Sequence, residues 1–465
     1  MLISFKNIIL DREVDLPLSK SESNRALMIL HYAKSQFTID NEQLTVSSDS
    51  LILHLSNSDD TILLHQLLNK INEQNLLSAD YSPLSIKLDC GNAGTVFRFL
   101  LTAAANLQFT VKNEQLSVDC KKYSQIFKFP DSKSLRFLLT GSERMKSRPI
   151  DSLVDALRKL GVTIEYQEKK GYPPVLFRNC HIDGGSVEVS VEQSSQFASS
   201  LLLAAPTWKN GLELHLTGDL SSLPYIDMTI NMMRQCGIDV ERNDRDIVVK
   251  PGTYNIDNIK IEPDWSAAAF WYEMVALSDN ANVLLKNLNI KSLQADAASI
   301  KMFETLGVKT TSSEKGIIIE TSYNSYKSFV QEPISFDFKE CPDLFPAVVA
   351  TCAGLQIDAI FTGLKNLSIK ESDRRQAMIN ELKKINFSFD ENSDDELKIY
   401  CPEKLPCFTE ENPLIFNNYG DHRIAMALSI LSLKIGVIDM DNPEVVSKSY
   451  PLFYKALGVN LTSNS

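Results

Sequence analysis

No apolar run in the 465-residue sequence approaches the roughly 20 residues that a membrane-spanning helix needs, so no membrane association is expected. The first segment, MLISFKNIILDREVDL, is broken by Lys6, Asp11 and Arg12 and offers no small-residue cleavage site. A secretory signal is therefore not expected. Paired cysteines are missing too. The eight cysteines are scattered without a C-x-x-C spacing, and only His181 lies within three residues of any of them. That pattern speaks against metal or redox motifs and for reduced cytoplasmic thiols. The six histidines are too dispersed to suggest a metal site. Basic charge is not in excess: 59 acids stand against 47 bases, a formal charge of -12. A nucleic-acid surface is thus disfavoured, whereas a local anion pocket is still allowed. The sequence also lacks a Walker loop, a dinucleotide fingerprint and a serine nucleophile matched to His and Asp.

What is present is an ordinary globular composition, 44% hydrophobic and 23% charged, in a chain long enough for two or three domains. Such a length can bury a large core without disulfides or metals. A helix-to-strand junction recurs along it. Leu157 to Ile164 reads LRKLGVTI and Met233 to Val240 reads MRQCGIDV; FETLGVKT from Phe303 and YKALGVNL from Tyr454 have the same shape. Looser copies, LNKIN from Leu68 and LKKIN from Leu382, end in Asn. Gly or Asn suits the left-handed position that terminates a helix. The markers Asn72, Gly161, Gly237, Gly307, Asn386 and Gly458 are separated by 89, 76, 70, 79 and 72 residues. That is too long for a solenoid repeat of about 20–50 residues. It fits six copies of a unit with two helices and three or four strands, in an α/β or α+β class. Strand-like runs at Gly211 to Thr217, Ile247 to Lys250 and Gly316 to Glu320 agree, and FDENSDDEL from Phe389 reads as a solvated hairpin or loop.

Helix after helix opens with cations, hydroxyls or carboxylates. LSKSESNRALMI places Lys20, Ser21, Ser23, Asn24 and Arg25 before an apolar helix, a ready anion site or a simple N-cap. DCGNAGTVFRFLL brings Gly91, Asn92, Gly94, Thr95 and Arg98 to a turn where backbone amides can approach a ligand. In TGSERMKSRPID, Arg144, Lys146 and Arg148 alternate, which on an extended segment would aim them to one side. Arginine forks suit carboxylates and phosphates. Ser194, Ser195 and Gln196 form a neutral polar cap. Acids enter with Asp343 in ECPDLFPAV, with Glu371 and Asp373 among Lys370, Arg374 and Arg375, and with Asp421 before His422 and Arg423; Lys448 stands before Pro451. Each acid near a helix start also has a plain use through the helix dipole. Convergence of these helix starts would make an electropositive cleft in an acidic protein, fit for a small polyanion, with carboxylates able to move protons.

In order, GNAGT, the RPI…LVDAL run, SSQF, LPYIDMT, PD, IKESDR and GDHRIAM resemble the 5-enolpyruvylshikimate-3-phosphate synthase family over essentially the whole chain, Ser19 to Lys448. The resemblance implies transfer of the enolpyruvyl group of phosphoenolpyruvate to the 5-hydroxyl of shikimate 3-phosphate, without metal or organic cofactor, by a monomer. It implies two domains of three βαβαββ repeats each, with helix N-termini facing the interdomain cleft. Crossings are expected near Leu18 and Glu262, dividing residues 19–261 from 1–18 plus 262–465. By the same resemblance, shikimate 3-phosphate is held by Lys20, Ser21, Arg25, Ser194, Ser195, Gln196, Ser222, Tyr225, Asp343, Asn366 and Lys370. Phosphoenolpyruvate meets Lys20, Asn92, Gly94, Arg148, Gln196, Arg374, Arg423 and Lys448. Asp343 would accept the 5-hydroxyl proton, and Glu371 or Lys20 would protonate the methylene carbon. Cations around Glu371 lower its pKa, so it donates only if substrate anions restore the balance.

Leu18, Phe99, Leu223 and Ser368 depart from residues common in that family, and Phe99 bears on sensitivity to glyphosate, which occupies the phosphoenolpyruvate site near Gly94. Two alternatives stay open at this level. The enolpyruvyl transferase acting on UDP-N-acetylglucosamine typically carries a cysteine five residues before the Arg of the Arg-Pro pair, where this chain has Glu143. A non-catalytic anion-binding homologue would need no coordinated acids.

Overall fold

The computed structural model describes residues 1–5, 9–37, 55–77, 86–107, 136–178, 180–220, 222–322 and 333–459. Strands arise where apolar and polar residues alternate, because successive side chains point to opposite faces. In Leu212–Thr217, for example, Leu212, Leu214 and Leu216 are buried while Glu213 and His215 look outward. Three of the helices behind the sheets are apolar almost all round. Phe345–Leu355, FPAVVATCAGL, buries nearly its whole length, as do Trp265–Leu277 and His422–Ile435. Such helices belong inside a core, and these three pack on one another. Their close approach needs Gly354. A Cβ there would lie 2.7 Å from Leu277 Cδ2 and 3.2 Å from Leu431 Cδ1.

One connectivity recurs through the sheets. Strands β1 (Leu2–Ile3) and β2 (Ile9–Val14) precede β3 (Ile86–Asp89), β4 (Arg136–Thr140), β5 (Ile164–Tyr166) and β6 (Val175–Arg178). Next come β7 (Gly185–Ser190), β8 (Leu212–Thr217), β9 (Val240–Asn243), β10 (Asp246–Val249), β11 (Asn280–Lys286), β12 (Val308–Ser313) and β13 (Gly316–Thr321). Last are β14 (Ile334–Asp337), β15 (Ala359–Thr362), β16 (Ser388–Ser393), β17 (Glu396–Tyr400), β18 (Leu414–Phe416) and β19 (Ile438–Met440). The sheets β3-β4-β6-β5, β7-β8-β10-β9 and β14-β15-β17-β16 each begin with a parallel pair and end in an antiparallel hairpin. A buried helix links the first two strands, and a second helix leads into the hairpin, giving βαβαββ. Sheet β12-β13-β11-β2 has the same order, but between β2 and the helix Trp265–Leu277 the chain makes a long excursion through the other sheets. A three-stranded sheet, β1-β19-β18, completes the described set. Residues 38–54 and 78–85, on either side of the helix Asp59–Leu77, lie outside the described residues.

Apolar side chains form two separate cores. One runs from Ala26 to Tyr254; the other joins Ile3, Leu10 and Val14 to residues from Trp265 onward. The chain passes between them twice, side by side. Leu18 pairs with Pro263, the Ser19 amide donates to the Glu262 carbonyl at 2.8 Å, and that of Asp264 to Pro17 at 2.9 Å.

Gly161, Gly237, Gly307, Asn386 and Gly458 have positive φ at helix ends, as the junction pattern requires. Asn72 does not terminate its helix, which runs on to Leu77. The residues after it, Glu-Gln-Asn-Leu-Leu, are helix-compatible and not β-prone, so nothing stops the helix there. The segment at Arg144 is likewise not extended. Ser142 Oγ accepts from the Met145 amide and caps a one-turn helix, Glu143–Lys146, which sends Arg144, Lys146 and Arg148 in different directions. The FDENSDDEL run is a hairpin, β16 to β17.

Candidate active site

First turns of the buried helices meet between the two cores. Lys20 and Ser21 begin one helix, Gly94 another and Gln196 a third. Ser222 precedes a fourth, and Asp343 lies just before Phe345–Leu355. These residues line one cavity together with Arg148, Ser194, Ser195, Tyr225, Asn366, Lys370 and Glu371. Residues from both halves of the chain thus meet here, while Arg25, Asn92, Arg374, Arg423 and Lys448 are not part of the lining. Asp60, Thr95, Arg98, Gln193 and Ile369 line it as well.

Asp343 is the focus of charge. Its Oδ1 accepts from Arg374 Nη1 at 2.6 Å and stands 3.5 Å from Lys370 Nζ. Its Oδ2 accepts from Arg423 Nη2 at 2.9 Å and from the Tyr225 hydroxyl at 3.4 Å. Burial works to raise its pKa, but Arg423, Lys370 and Arg374 outweigh that and hold it well below the usual carboxylate range. Glu371 Oε2 accepts from Arg374 Nη2 at 2.9 Å, and Oε1 lies 3.4 Å from Lys448 Nζ. Here too burial pushes upward, and Lys448, Arg374 and Arg148 bring the pKa well below normal. Both acids are therefore ionised in this arrangement. For Asp343 that state suits a proton acceptor. For Glu371 it means that proton donation requires bound anions to offset the surrounding cations.

Arg374 and Arg423 stand behind the cavity wall and reach it through Asp343. Arg374, only 1% exposed, also donates Nε to Asp421 Oδ2 at 2.8 Å. Asp421 caps the helix His422–Ile435 through the Arg423 amide, so the GDHR motif both ends a loop and aligns two arginines. Lys448 Nζ donates to the Asn92 carbonyl at 3.3 Å across the cleft. Arg25 does not face the cavity. It is fully buried behind Ser21 and Gln196, with bonds to Thr229 Oγ1 at 2.7 Å and to the carbonyls of Ser21 and Tyr225 at 2.8 and 3.0 Å. Lys20 Nζ pairs with Asp60 at 3.2 Å; burial would lower its pKa, but Asp60 and Glu371 raise it.

Several polar atoms in this region are buried without a partner: Arg148 Nε and Nη1, Arg98 Nε, Arg423 Nε and Asn92 Oδ1. Unspent guanidinium donors beside a cavity are what a polyanion with several oxygens would satisfy. Arg148 also lies directly over Gly94, where an added Cβ would stand 2.4 Å from Nη1.

Sequence reading did not single out Asp60, and it gave Arg98 and Asp421 no specific ligand or role. Asp60 could have been suspected from the acidic pair opening its helix, but Lys20 as its partner is visible only in three dimensions. Asp296 and Ser266 were also missed. Ser266 Oγ bridges Asp296 and Arg423, and burial followed by Asp343 pushes the Asp296 carboxyl up to about 6. His422 is fully buried, neither ring nitrogen makes a hydrogen bond although Nδ1 stands 3.7 Å from Asp421 Oδ1, and burial, then Lys20 and Arg423, keep it neutral. Glu143, the place of the cysteine in the sugar-nucleotide enzyme, is exposed and paired with Lys146. Among the described residues no cluster of three His, Cys, Asp or Glu side chains could hold a metal ion. No helix among them is long and apolar enough to cross a membrane.

Comparisons with known proteins are consistent with one another. The family profile described as EPSP synthase (3-phosphoshikimate 1-carboxyvinyltransferase) matches residues 7–457. A 3-phosphoshikimate 1-carboxyvinyltransferase from Bacteroides fragilis (strain YCH46) is 34% identical over 445 residues, 96% of this chain and 94% of that protein. One from Haemophilus ducreyi is 29% identical over 457 residues, 96% of this chain and 94% of its own length. The fold is shared with EPSP synthase from Acinetobacter baumannii, at a TM-score of 0.67 and 22% identity over 98% of this chain and 97% of that one. It is shared also with the enolpyruvyl transferase NikO from Streptomyces tendae, at 0.62 and 13% over 98% and 96%.

Proposed function

The chain belongs to the EPSP synthase (3-phosphoshikimate 1-carboxyvinyltransferase) family, and from that premise we infer that it transfers the enolpyruvyl group of phosphoenolpyruvate to the 5-hydroxyl of shikimate 3-phosphate. The products are 5-enolpyruvylshikimate 3-phosphate and phosphate, a step of the shikimate pathway toward chorismate and the aromatic amino acids. The observation that carries the assignment of roles is the pairing of Asp343 and Glu371 to one arginine, Arg374, beside a cavity rich in cations.

In this reading shikimate 3-phosphate lies against Ser21, Ser194, Ser195, Gln196, Ser222, Tyr225, Asn366 and Lys370, with Arg25 holding Ser21 and Gln196 from behind. Phosphoenolpyruvate lies by Lys20, Asn92, Gly94, Arg148 and Lys448, with Arg374 and Arg423 acting on it from behind Asp343, and Gln196 stands between both. Asp343, ionised by its arginines, takes the 5-hydroxyl proton as that oxygen attacks the C2 carbon of phosphoenolpyruvate. Glu371 or Lys20 delivers a proton to C3, forming a tetrahedral adduct. The C2–O bond to phosphate then breaks, a C3 proton returns to the protein, and the vinyl ether forms. Cations placed before the reaction stabilise the leaving phosphate without reorganisation.

The two apolar cores and the paired crossings support domains at 19–261 and at 1–18 plus 262–465. A site assembled wholly within one chain suits a monomer. A cytoplasmic location accords with the free thiols of Cys90, Cys180, Cys236, Cys341, Cys352, Cys401 and Cys407; Cys120 lies outside the described residues. The deciding assay is phosphate release from phosphoenolpyruvate with shikimate 3-phosphate, beside shikimate and UDP-N-acetylglucosamine. Release only with shikimate 3-phosphate is expected. Release with the sugar nucleotide would move the chain to the other transferase, and binding without release would make it a non-catalytic homologue.

A further inference from the structure

We propose that Arg144 is a positioning residue: it clamps the backbone of residues 368–371 across the cleft and so sets where Lys370 and Glu371 stand during turnover. The proposal rests on the enolpyruvyl-transfer reading above. Arg144 leaves the one-turn helix Glu143–Lys146 on one side of the cleft and spends its guanidinium on carbonyls of the other. Nε donates to Lys370 and Glu371, each at 3.2 Å, and Nη2 donates to Ser368 at 2.8 Å and Lys370 at 2.9 Å. These carbonyls converge because Lys365–Ile369 is a short 3-10 turn with Lys370 as its C-cap, and carbonyls at a helical end lack internal partners. A planar fork can serve several carbonyls in fixed geometry, which an ammonium cannot. Among the described residues Arg144 makes no ion pair with a carboxylate, so it is not an ordinary surface salt bridge.

The near end of the clamp is anchored. The Ser142 amide donates to the Gly91 carbonyl at 2.8 Å, and a Cβ on Gly141 would stand 2.5 Å from that same oxygen. Four residues after Arg144, Arg148 lies over Gly94 in the cavity and is among the cations acting on Glu371. One short turn therefore fixes both the Glu371 backbone and a guanidinium beside its carboxylate. The side chain of Ser368, a departure from the family pattern, is not needed, because the clamp uses only its carbonyl.

The test is steady-state kinetics of Arg144→Ala and Arg144→Lys, with Lys146→Ala on the same turn as control, since among the described residues Lys146 pairs only with Glu143 and Glu168. Displacing catalytic groups by about 1 Å can cost on the order of 100-fold. We expect kcat of Arg144→Ala to fall about 10- to 100-fold with KM for shikimate 3-phosphate within about 3-fold. Arg144→Lys should recover only part of the loss, millimolar methylguanidine should partly rescue Arg144→Ala, and Lys146→Ala should match wild type. Wild-type kcat in Arg144→Ala, or a raised KM at unchanged kcat, overturns the proposal; the latter would mark a closure latch only. Should Arg144→Ala fail to fold, Arg144→Lys is judged by the same criteria. A second readout is amide hydrogen exchange over residues 366–373 with shikimate 3-phosphate bound, expected to be faster in the variant. If wild type releases no phosphate, the reaction assignment falls, and equal exchange in wild type and variant independently overturns the clamp.

Discussion

Replacing Asp343 by Ala separates chemistry from binding. The side chain is held by Arg374, Arg423, Lys370 and Tyr225, and at first sight its loss ought to collapse the cation cluster. It should not. Arg374 keeps Asp421 at 2.8 Å and Glu371 at 2.9 Å, and Arg423 keeps Ser266 at 3.2 Å. The variant site gains one net positive charge, which cannot weaken a polyanion electrostatically. What is lost is the proton acceptor, a contribution of about 100- to 10,000-fold, or roughly 3 to 5.5 kcal/mol of barrier. Breaking a buried pair by removing one partner costs about 3–5 kcal/mol of stability, and the 18% exposure of the Asp343 side chain places this case toward or below the low end. We therefore expect phosphate release to fall by two to four orders of magnitude, while calorimetry gives a Kd for shikimate 3-phosphate within about 3-fold of wild type. Thermal stability should drop without ligand and rise on addition of shikimate 3-phosphate by about as much as in wild type, because the Kd is little changed. Turnover within a few-fold of wild type, or affinity lost in step with turnover, would refute the assignment.

Gly94→Ala should leave the fold intact, because the clash is with the movable end of Arg148, 2.4 Å away. Losing an arginine contact to an anion is worth about 1.5–3 kcal/mol, so KM for phosphoenolpyruvate should rise about 10- to 100-fold with shikimate 3-phosphate affinity unchanged; an unchanged KM would show that Arg148 does not touch that substrate. Glu22 supplies a pH test. Burial, and then the charges of Glu262 and Asp264, push its pKa up to about 8 although it accepts the Glu262 amide at 2.7 Å. The folded protein thus holds this proton between the unfolded value near 4.5 and about 8, so stability is full below that window, falls as pH rises through it, and is flat above. Glu22→Gln should flatten the decline in unfolding free energy between pH 5 and pH 8, which has a limiting slope of about 1.4 kcal/mol per pH unit. Identical slopes in wild type and variant would remove Glu22 as its source.

Local chemistry made the helix ends and strands legible. Gly161, Gly237 and Gly307 mark left-handed terminations that few other residues adopt, and alternation in Leu212–Thr217 fixes a half-buried strand. Asn72 misled because Asn tolerates a helix interior, so only the residues after it could decide. Arg144 misled because alternation in sequence says nothing once a serine cap turns the segment into a helix. In the site, residues at helix starts were readable one by one. The partners of those residues were not: Lys20 with Asp60, and Arg374 with Asp421, are 40 and 47 positions apart and meet through packing alone.

The long excursion between β2 and the helix Trp265–Leu277 has a consequence for how the molecule is built during synthesis. Ile9 sits opposite Asn280 in a parallel pair, with the whole of the other core between them. Closing so long a loop of unfolded chain would cost on the order of 5 kcal/mol of entropy. If the intervening segment folds first, its ends are already together, the Ser19 amide 2.8 Å from the Glu262 carbonyl, and most of that cost vanishes. Assembly should therefore be hierarchical, with the inserted half as template for the half that surrounds it. In pulsed hydrogen exchange during refolding, amides of Gln196–Ala204 should gain protection before those of Phe345–Leu355; the reverse order would contradict this. A core defect in the insert then delays both halves, whereas one in the surrounding half leaves the insert free to fold.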